Sequence, residues 1–340
     1  MEKNWYNTYN HLTKYLLRNN CIKDDFFLID IGASGGILSN FNVFRPKLQA
    51  LGIDIMKSEC IRLNNNEQNK KIKYVQAKVG LKEDHKFVIE KIKNGGINLH
   101  NSYFPRTSAA QYTQLNANKC MGEYKKDLNN WNQQSIMVQE IKTVDDIVKE
   151  EKWNNTDFIK VDIDGNDVEA ILSCEEILKA HTVLGFMLEV NFQGTTCSTD
   201  HTFANTDTIM RKKGFDIFDL SVRRYSSSKL PAPWAVSGCQ TASGRIVQGD
   251  ALYLLDPCCI DNKSKPSLSI DKILKLACLY EIFGKPDHSA ELLIHYKEIL
   301  LPKIDVVNLL NILTRQICPK FTKYEDYISA FKKNPKTFYL

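Results

Sequence analysis

In the run Asp157-Phe158-Ile159-Lys160-Val161-Asp162-Ile163-Asp164-Gly165, ionisable and aliphatic residues alternate. On an extended strand Lys160, Asp162 and Asp164 share one face, and Ile159, Val161 and Ile163 the other. Charges amid apolar strands are costly unless paired or used. A Lys160–Asp162 ion pair that merely satisfies itself is one account. Ligand binding or acid–base chemistry is the other, and Asp164, at the strand end beside Gly165, is placed to face a cleft.

A second cluster, Asp30-Ile31-Gly32-Ala33-Ser34-Gly35-Gly36, follows the apolar run Phe26–Ile29. Its small residues let a ligand approach the backbone, and a following helix would present free N–H groups. A dinucleotide loop needs G-x-G-x-x-G, and Ser34 stands where the second glycine would make room for a pyrophosphate. Asp30 would also repel that group. It suits instead a ligand with a cationic amino group and a sulfonium, as in S-adenosylmethionine. Asp54 ends the next strand, at the separation where an acid accepts ribose hydroxyls.

Three residues are candidates for catalysis: Asp164, Glu189 and His201. Glu189 lies in the apolar run Met187-Leu188-Glu189-Val190, where an unpaired carboxylate would be expensive. His201, with an unperturbed pKa near 6.5, suits a base at neutral pH better than an aspartate near 3.9. The same three could instead hold Mg²⁺ or Mn²⁺. The segment from Arg223 to Trp234, expected as a loop joining the last two strands, offers Arg223, Arg224, Tyr225 and Trp234 to an acidic or phosphorylated substrate.

These residues end or follow short apolar runs: FFLIDIG, LGIDI, IKYVQA, DFIKVDIDG, VLGFMLEV, FDIFDL and DALYLL. Seven strands are expected, several apolar throughout, as in a doubly wound α/β sheet covered by helices on both faces. Ligands of such sheets lie beyond the C-terminal strand ends. An insertion, about 85–140, interrupts the sheet, with HKFVIE and IMVQEI as further strands. Its polar, aromatic middle, 95–134, reads as a substrate-side cover or a disordered segment. After Pro257 the strand pattern stops and periodic leucines predict packed helices. The linear division is a lead-in helix (1–25), an α/β domain (26–260) and an all-helical extension (261–340).

The stretch IKTVDDIVKEEKWNNTDFIKVDIDGNDVEAILS resembles the signature of the FkbM-type methyltransferases, a T-x-D-D helix and a K-x-D-x-E-G strand. DIGASGG, GID, MLEVNF and HTFANTDTIMRKKGFDIFDL follow that family's order from Phe26 to Pro257. The resemblance implies a class I methyltransferase (Rossmann-like) fold, S-adenosylmethionine as cofactor, and O-methylation, often of a sugar hydroxyl in a glycan, nucleotide sugar or natural product. Carried over by position, Asp30, Gly32 and Gly36 would line the methionine end and Asp54 the ribose; Ala33 and Asp162 join the cofactor set. Asp164 stands where the family has Glu, and the C-terminal helices lie outside the family core.

The rest of the sequence narrows the alternatives. With 340 residues, 43% hydrophobic and 25% charged, no apolar run long enough for a membrane span is present. A net charge of +5, with dispersed basic residues, gives no reason to expect nucleic acid as a partner. Ten cysteines without a C-x-x-C pair suggest reduced thiols. The first residues lack a signal-peptide order, so a cytoplasmic enzyme is expected. The helical extension is a candidate surface for a homo-oligomer or an assembly partner. Two alternatives to catalysis by methyl transfer are a non-catalytic cofactor-binding or interaction module and an NAD-dependent oxidoreductase.

Overall fold

The computed structural model describes residues 10–94, 140–163, 165–229, 240–259 and 267–338. The chain divides into two compact units. One unit comprises Met1–Lys3, Leu28–Ile37 and Ala50–Leu254; the other comprises Asn4–Phe27, Leu38–Gln49 and Leu255–Leu340.

The first unit carries the sheet. Its strands are β1 (Phe26–Ile31), β2 (Leu48–Asp54), β3 (Ile72–Gln76), β6 (Phe158–Val161), β7 (Gly185–Asn191), β8 (Asp216–Tyr225) and β9 (Arg245–Leu254). The short pair β4 (Lys78–Val79) and β5 (Ile141–Lys142) forms a separate parallel ladder. All seven strands expected of the main sheet are present, in the order β3-β2-β1-β6-β7-β9-β8. The β2–β3, β1–β6 and β6–β7 pairs are parallel, and β9 runs antiparallel to both β7 and β8. This is the class I methyltransferase arrangement, and β1 and β6 flank the point where strand order reverses, the position at which open α/β sheets bind ligands.

Register puts the polar strand residues on one face. Asp30 pairs with Lys160, Lys160 with Met187, Glu189 with Asp250, and Asn191 with Gln248. Register partners share a face and so do alternate residues, so these groups line up on one side while Ile29, Ile159, Leu188 and Ala251 occupy the other, fully buried.

Two expectations need correction. HKFVIE is no strand: Lys86–Lys93 is a helix whose start is capped by His85 Nδ1, accepting from Phe87 N at 3.1 Å. Of IMVQEI, only Glu140 and Ile141 are described, and Ile141 opens β5. The glycine cluster leads not into an α-helix but into a 3₁₀ segment, Ser39–Lys47, which contains Pro46. Proline lacks the N–H an α-helix interior requires. The 95–134 stretch lies outside the described residues.

The second unit is helical. Helix Ile270–Ile282 runs through its centre and is buried on every side from Ile273 to Ile282, the pattern of a core helix. Phe26 stacks on Phe44 with centroids 4.3 Å apart, and Phe41 meets Phe283 edge-on. Two charged residues of this helix are buried with partners. Lys275 Nζ donates to Asp25 O at 2.6 Å and lies over the Phe27 ring. Glu281 receives Leu12 N and Thr13 N at 2.8 Å, Thr13 Oγ1 at 2.6 Å and Gln316 Nε2 at 2.6 Å. Asn10, at the cap position of helix His11–Arg18, makes no side-chain cap bond. Glu281 therefore caps that helix from a distant part of the sequence, satisfying N–H groups that a helix start leaves open. Among the described residues, no helix is long and apolar enough to cross a membrane.

Candidate active site

The glycine turn after β1 is held from three sides. Gly32 N and Ala33 N donate to Ile53 O at 2.8 and 3.2 Å, and Gly36 N donates to Ala33 O at 2.9 Å. Gly35 N donates to Glu59 Oε1 at 2.9 Å. Gly32 has φ +84°, and a Cβ there would lie 1.8 Å from the carbonyl oxygen of Asp162. Only glycine fits between β1 and the end of β6. The N–H groups expected to face a ligand are thus mostly engaged, and Glu59 sets a carboxylate against the turn. A phosphate would meet few free donors and an unfavourable field. Arg62, hydrogen-bonded to Glu59, holds that carboxyl at about 2.

Below the turn, Asp30 is fully buried and Lys160 nearly so. Lys160 Nζ lies 3.2 Å from Asp30 Oδ1, 3.4 Å from Asp162 Oδ2 and 3.3 Å from Gly32 O. Burial alone would favour a neutral lysine, but the two carboxylates outweigh it and raise its pKa. The expected Lys160–Asp162 pair is real and incomplete, because β1–β6 register brings in Asp30 as the closer partner. Lys160 also clamps the glycine turn through the Gly32 carbonyl. β6 ends at Val161, so Asp162 lies just past the strand, its side chain 44% exposed and able to meet a ligand.

Asp54 closes β2, is 7% exposed, and turns its Oδ1 to Met56 N at 2.8 Å. That local turn fixes the carboxylate's direction. Glycine turn, Asp54 and Asp162 thus surround the C-terminal ends of β1, β2 and β6.

Beyond β6 the loop is organised by Asp167. Its Oδ1 accepts from Ile163 N and its Oδ2 from Gly165 N, both at 3.0 Å. Burial raises its pKa against the opposing effect of His201, whose Nδ1 lies 3.6 Å from Asp167 Oδ2 and 3.5 Å from Asn191 Nδ2. The other ring nitrogen, Nε2, is buried without a hydrogen-bond partner among the described residues. Asp164 lies outside the described residues.

Across the sheet, Arg223 stands between two acids. Nη1 donates to Glu189 Oε1 at 2.7 Å and Nη2 to Asp250 Oδ1 at 2.5 Å. Gln248 Nε2 approaches Glu189 at 3.5 Å.

A sequence profile described as the Methyltransferase FkbM domain matches residues 30–217, more than half of the chain. The chain belongs to the FkbM methyltransferase family. It is an S-adenosylmethionine-dependent methyltransferase. Solved structures similar to it include a precorrin-6y C5,15-methyltransferase from Geobacter metallireducens GS-15 (9% identity, covering 72% of this chain and 85% of that one, TM-score 0.31). Another is the magnesium protoporphyrin IX methyltransferase of Synechocystis PCC 6803 with bound S-adenosylmethionine (9% identity, 71% of this chain and 76% of that one, TM-score 0.31). A comparison with curated proteins gives no match.

Within this FkbM-type domain the T-x-D-D segment does structural work. Thr143 Oγ1 caps its own helix by accepting from Asp146 N, and Asp145 accepts from Glu176 N and Ile177 N at the start of the next. The sequence reading placed Arg223, Arg224 and Tyr225 in a substrate loop; all three are in β8, because β8 and β9 are longer than their apolar runs suggest. Arg223 is committed to Glu189 and Asp250, Arg224 donates to Gly244 O, and Tyr225 OH bonds Gln248. Trp234 lies outside the described residues. Of the trio offered as metal ligands, Glu189 is bound to Arg223 and His201 faces Asp167. Among the described residues, no three His, Cys, Asp or Glu side chains converge as a metal site.

Asp167, Asn191, Gln248 and Asp250 were missed. Asp250 carried a readable signal as the one acid opening the apolar run DALYLL, whereas Asp167 could be read only as a helix-start residue.

One guanidinium cannot neutralise two buried acids, so burial, with Asp162 and Asp167 nearby, pushes Glu189 up to about 8 from its ordinary 4.5, against the pull of Arg223. Asp250 and Glu189 hold Arg223 protonated despite its burial. Folded protein then retains a proton that the unfolded chain releases near 4.5, so this stabilisation is complete below that pH and is lost as pH rises through about 8. Glu189→Gln, matching the protonated form, is expected to remove this decline. Urea midpoints on either side of the window test it, and parallel declines in both proteins would place the proton elsewhere.

Proposed function

We propose that this enzyme transfers the methyl group of S-adenosylmethionine to a hydroxyl oxygen of a sugar-like acceptor, with His201 as the base. The observation that carries this reading is the buried, unpartnered Nε2 of His201 beside Asp167. A buried polar atom without a partner costs stability, and such atoms mark places where a ligand completes the bonding. An acceptor O–H is a group that Nε2 can receive.

S-adenosylmethionine, when bound, supplies an electrophilic methyl group on a positively charged sulfur. The acidic residues around the turn favour that charge, and Gly32 permits close approach. Asp167 directs the imidazole: with Nδ1–H turned to its carboxylate, Nε2 carries the lone pair and would take the hydroxyl proton as the acceptor oxygen bonds to the methyl carbon, the carbon–sulfur bond breaking with its electron pair left on sulfur to give the neutral thioether. Asn191, whose amide sits beside the same ring, limits its rotation. Holding acceptor and donor in line provides much of the rate. The polar face bearing Asp162, Asn191 and His201 suits an acceptor with several hydroxyls, which supports the carbohydrate class the family resemblance implies.

His201→Gln is expected to lower kcat by roughly 10²-fold or more with cofactor affinity retained. Formation of S-adenosylhomocysteine against a panel of nucleotide sugars and oligosaccharides, with calorimetry for cofactor binding, tests both parts. Wild-type turnover by His201→Gln removes the base; turnover only with amine or carboxylate acceptors removes the hydroxyl class.

A further inference from the structure

A second site lies in the helical unit. Helices His11–Arg18 and Val306–Ile317 pack together and enclose a cleft of about 500 Å³, lined by His11, Lys14, Tyr15, Arg18, Ile312 and Arg315 with Asn19 at its end. His11, Lys14, Tyr15 and Arg18 recur at helical spacing and so share a face, and Ile312 and Arg315 share one on the other helix. Among the described residues, no carboxylate lines the cleft. Lys14, Arg18 and Arg315 are exposed and make no ion pair among the described residues. Some exposed cations elsewhere pair with acids, as Arg62 does with Glu59 and Arg211 with Asp207.

Three cations gathered on one concavity repel one another, and an anion bound among them relieves that repulsion. The Tyr15 ring and Ile312 add an aromatic and apolar wall beside the charges. Guanidinium groups suit phosphate oxygens through paired N–H donors, and lysine adds a point charge. The volume falls in the range of small-molecule sites. We propose that this cleft binds a nucleoside diphosphate, its phosphates held by Lys14, Arg18 and Arg315 and its base against Tyr15. At the glycine turn, by contrast, Glu59 opposes phosphate, and the cleft's chemistry does not depend on the acceptor class.

The test is calorimetry on the full chain with ADP, inorganic pyrophosphate and adenosine, all under saturating S-adenosylhomocysteine so that the methyl-transfer site does not compete. Saturable ADP binding, tighter than that of either fragment, is expected. Combining Lys14→Gln, Arg18→Gln and Arg315→Gln is expected to weaken it by roughly 30-fold or more. These side chains are exposed, so the variant's thermal melt should match the parent's. Three results would overturn the proposal: no saturable ADP binding, binding unchanged in the triple variant, or binding to vesicles of anionic phospholipid with none to ADP.

Discussion

Gly32→Ala is expected to abolish measurable cofactor binding while leaving the protein folded. The added Cβ would sit 1.8 Å from the Asp162 carbonyl oxygen at a backbone φ of +84°. Neither the steric overlap nor the left-handed backbone can relax without moving the turn away from β6. That movement breaks the bond from Gly32 N to Ile53 O and the reach of Lys160 to the Gly32 carbonyl. Left-handed backbone alone costs a non-glycine residue about 1–3 kcal/mol, and displacement of the turn adds to it. Affinity for S-adenosylhomocysteine should fall by roughly 100-fold or more. Gly35→Ala is the control, because φ is again +84° but nothing lies within 4 Å of the new Cβ. It should bind with a modest loss. Calorimetry on both variants, with circular dichroism to confirm folding, decides the matter, and equal losses would mean that the approach of Gly32 to Asp162 is unimportant.

Glu281→Ala is expected to be the most destabilising single change in the helical unit. The carboxylate is fully buried and accepts from four donors: Leu12 N, Thr13 N, Thr13 Oγ1 and Gln316 Nε2. Truncation strands all of them and leaves a cavity. Each buried donor left without its acceptor costs about 1–3 kcal/mol, and the start of helix His11–Arg18 loses its cap as well. Urea unfolding should show a lower midpoint with loss of helical signal, and Glu281→Gln should recover part of it by accepting through its remaining carbonyl. A loss below about 1 kcal/mol, the size of an ordinary surface change, would refute the capping role.

The fold was legible to the extent that strands announce themselves locally. Each of the main-sheet strands is a short apolar run, and the residues that end β1, β2 and β6 could be named because α/β sheets bind ligands there. Pairing was not legible. Lys160 was read with Asp162, two positions away, because alternation is a local rule; Asp30 became its nearer partner through the register of strands far apart in sequence. Arg223 was read as a loop cation because the apolar run FDIFDL stops before it, yet the strand continues to Tyr225 on the strength of its ladder with β9. HKFVIE alternates enough to resemble a strand, and a single histidine cap settles it as a helix. Glu281 stayed hidden because one acid in an apolar helix gives no hint of what it will cap.

That distant cap also bears on how the protein comes to be made. Leu12 and Thr13 precede Glu281 by 269 and 268 positions, so both leave the ribosome long before their acceptor exists. Until then the opening N–H groups of the first helix lack this acceptor, and a short isolated helix is marginal in water. Closure of the helical unit therefore has to await synthesis of the 269 positions that separate Leu12 from Glu281.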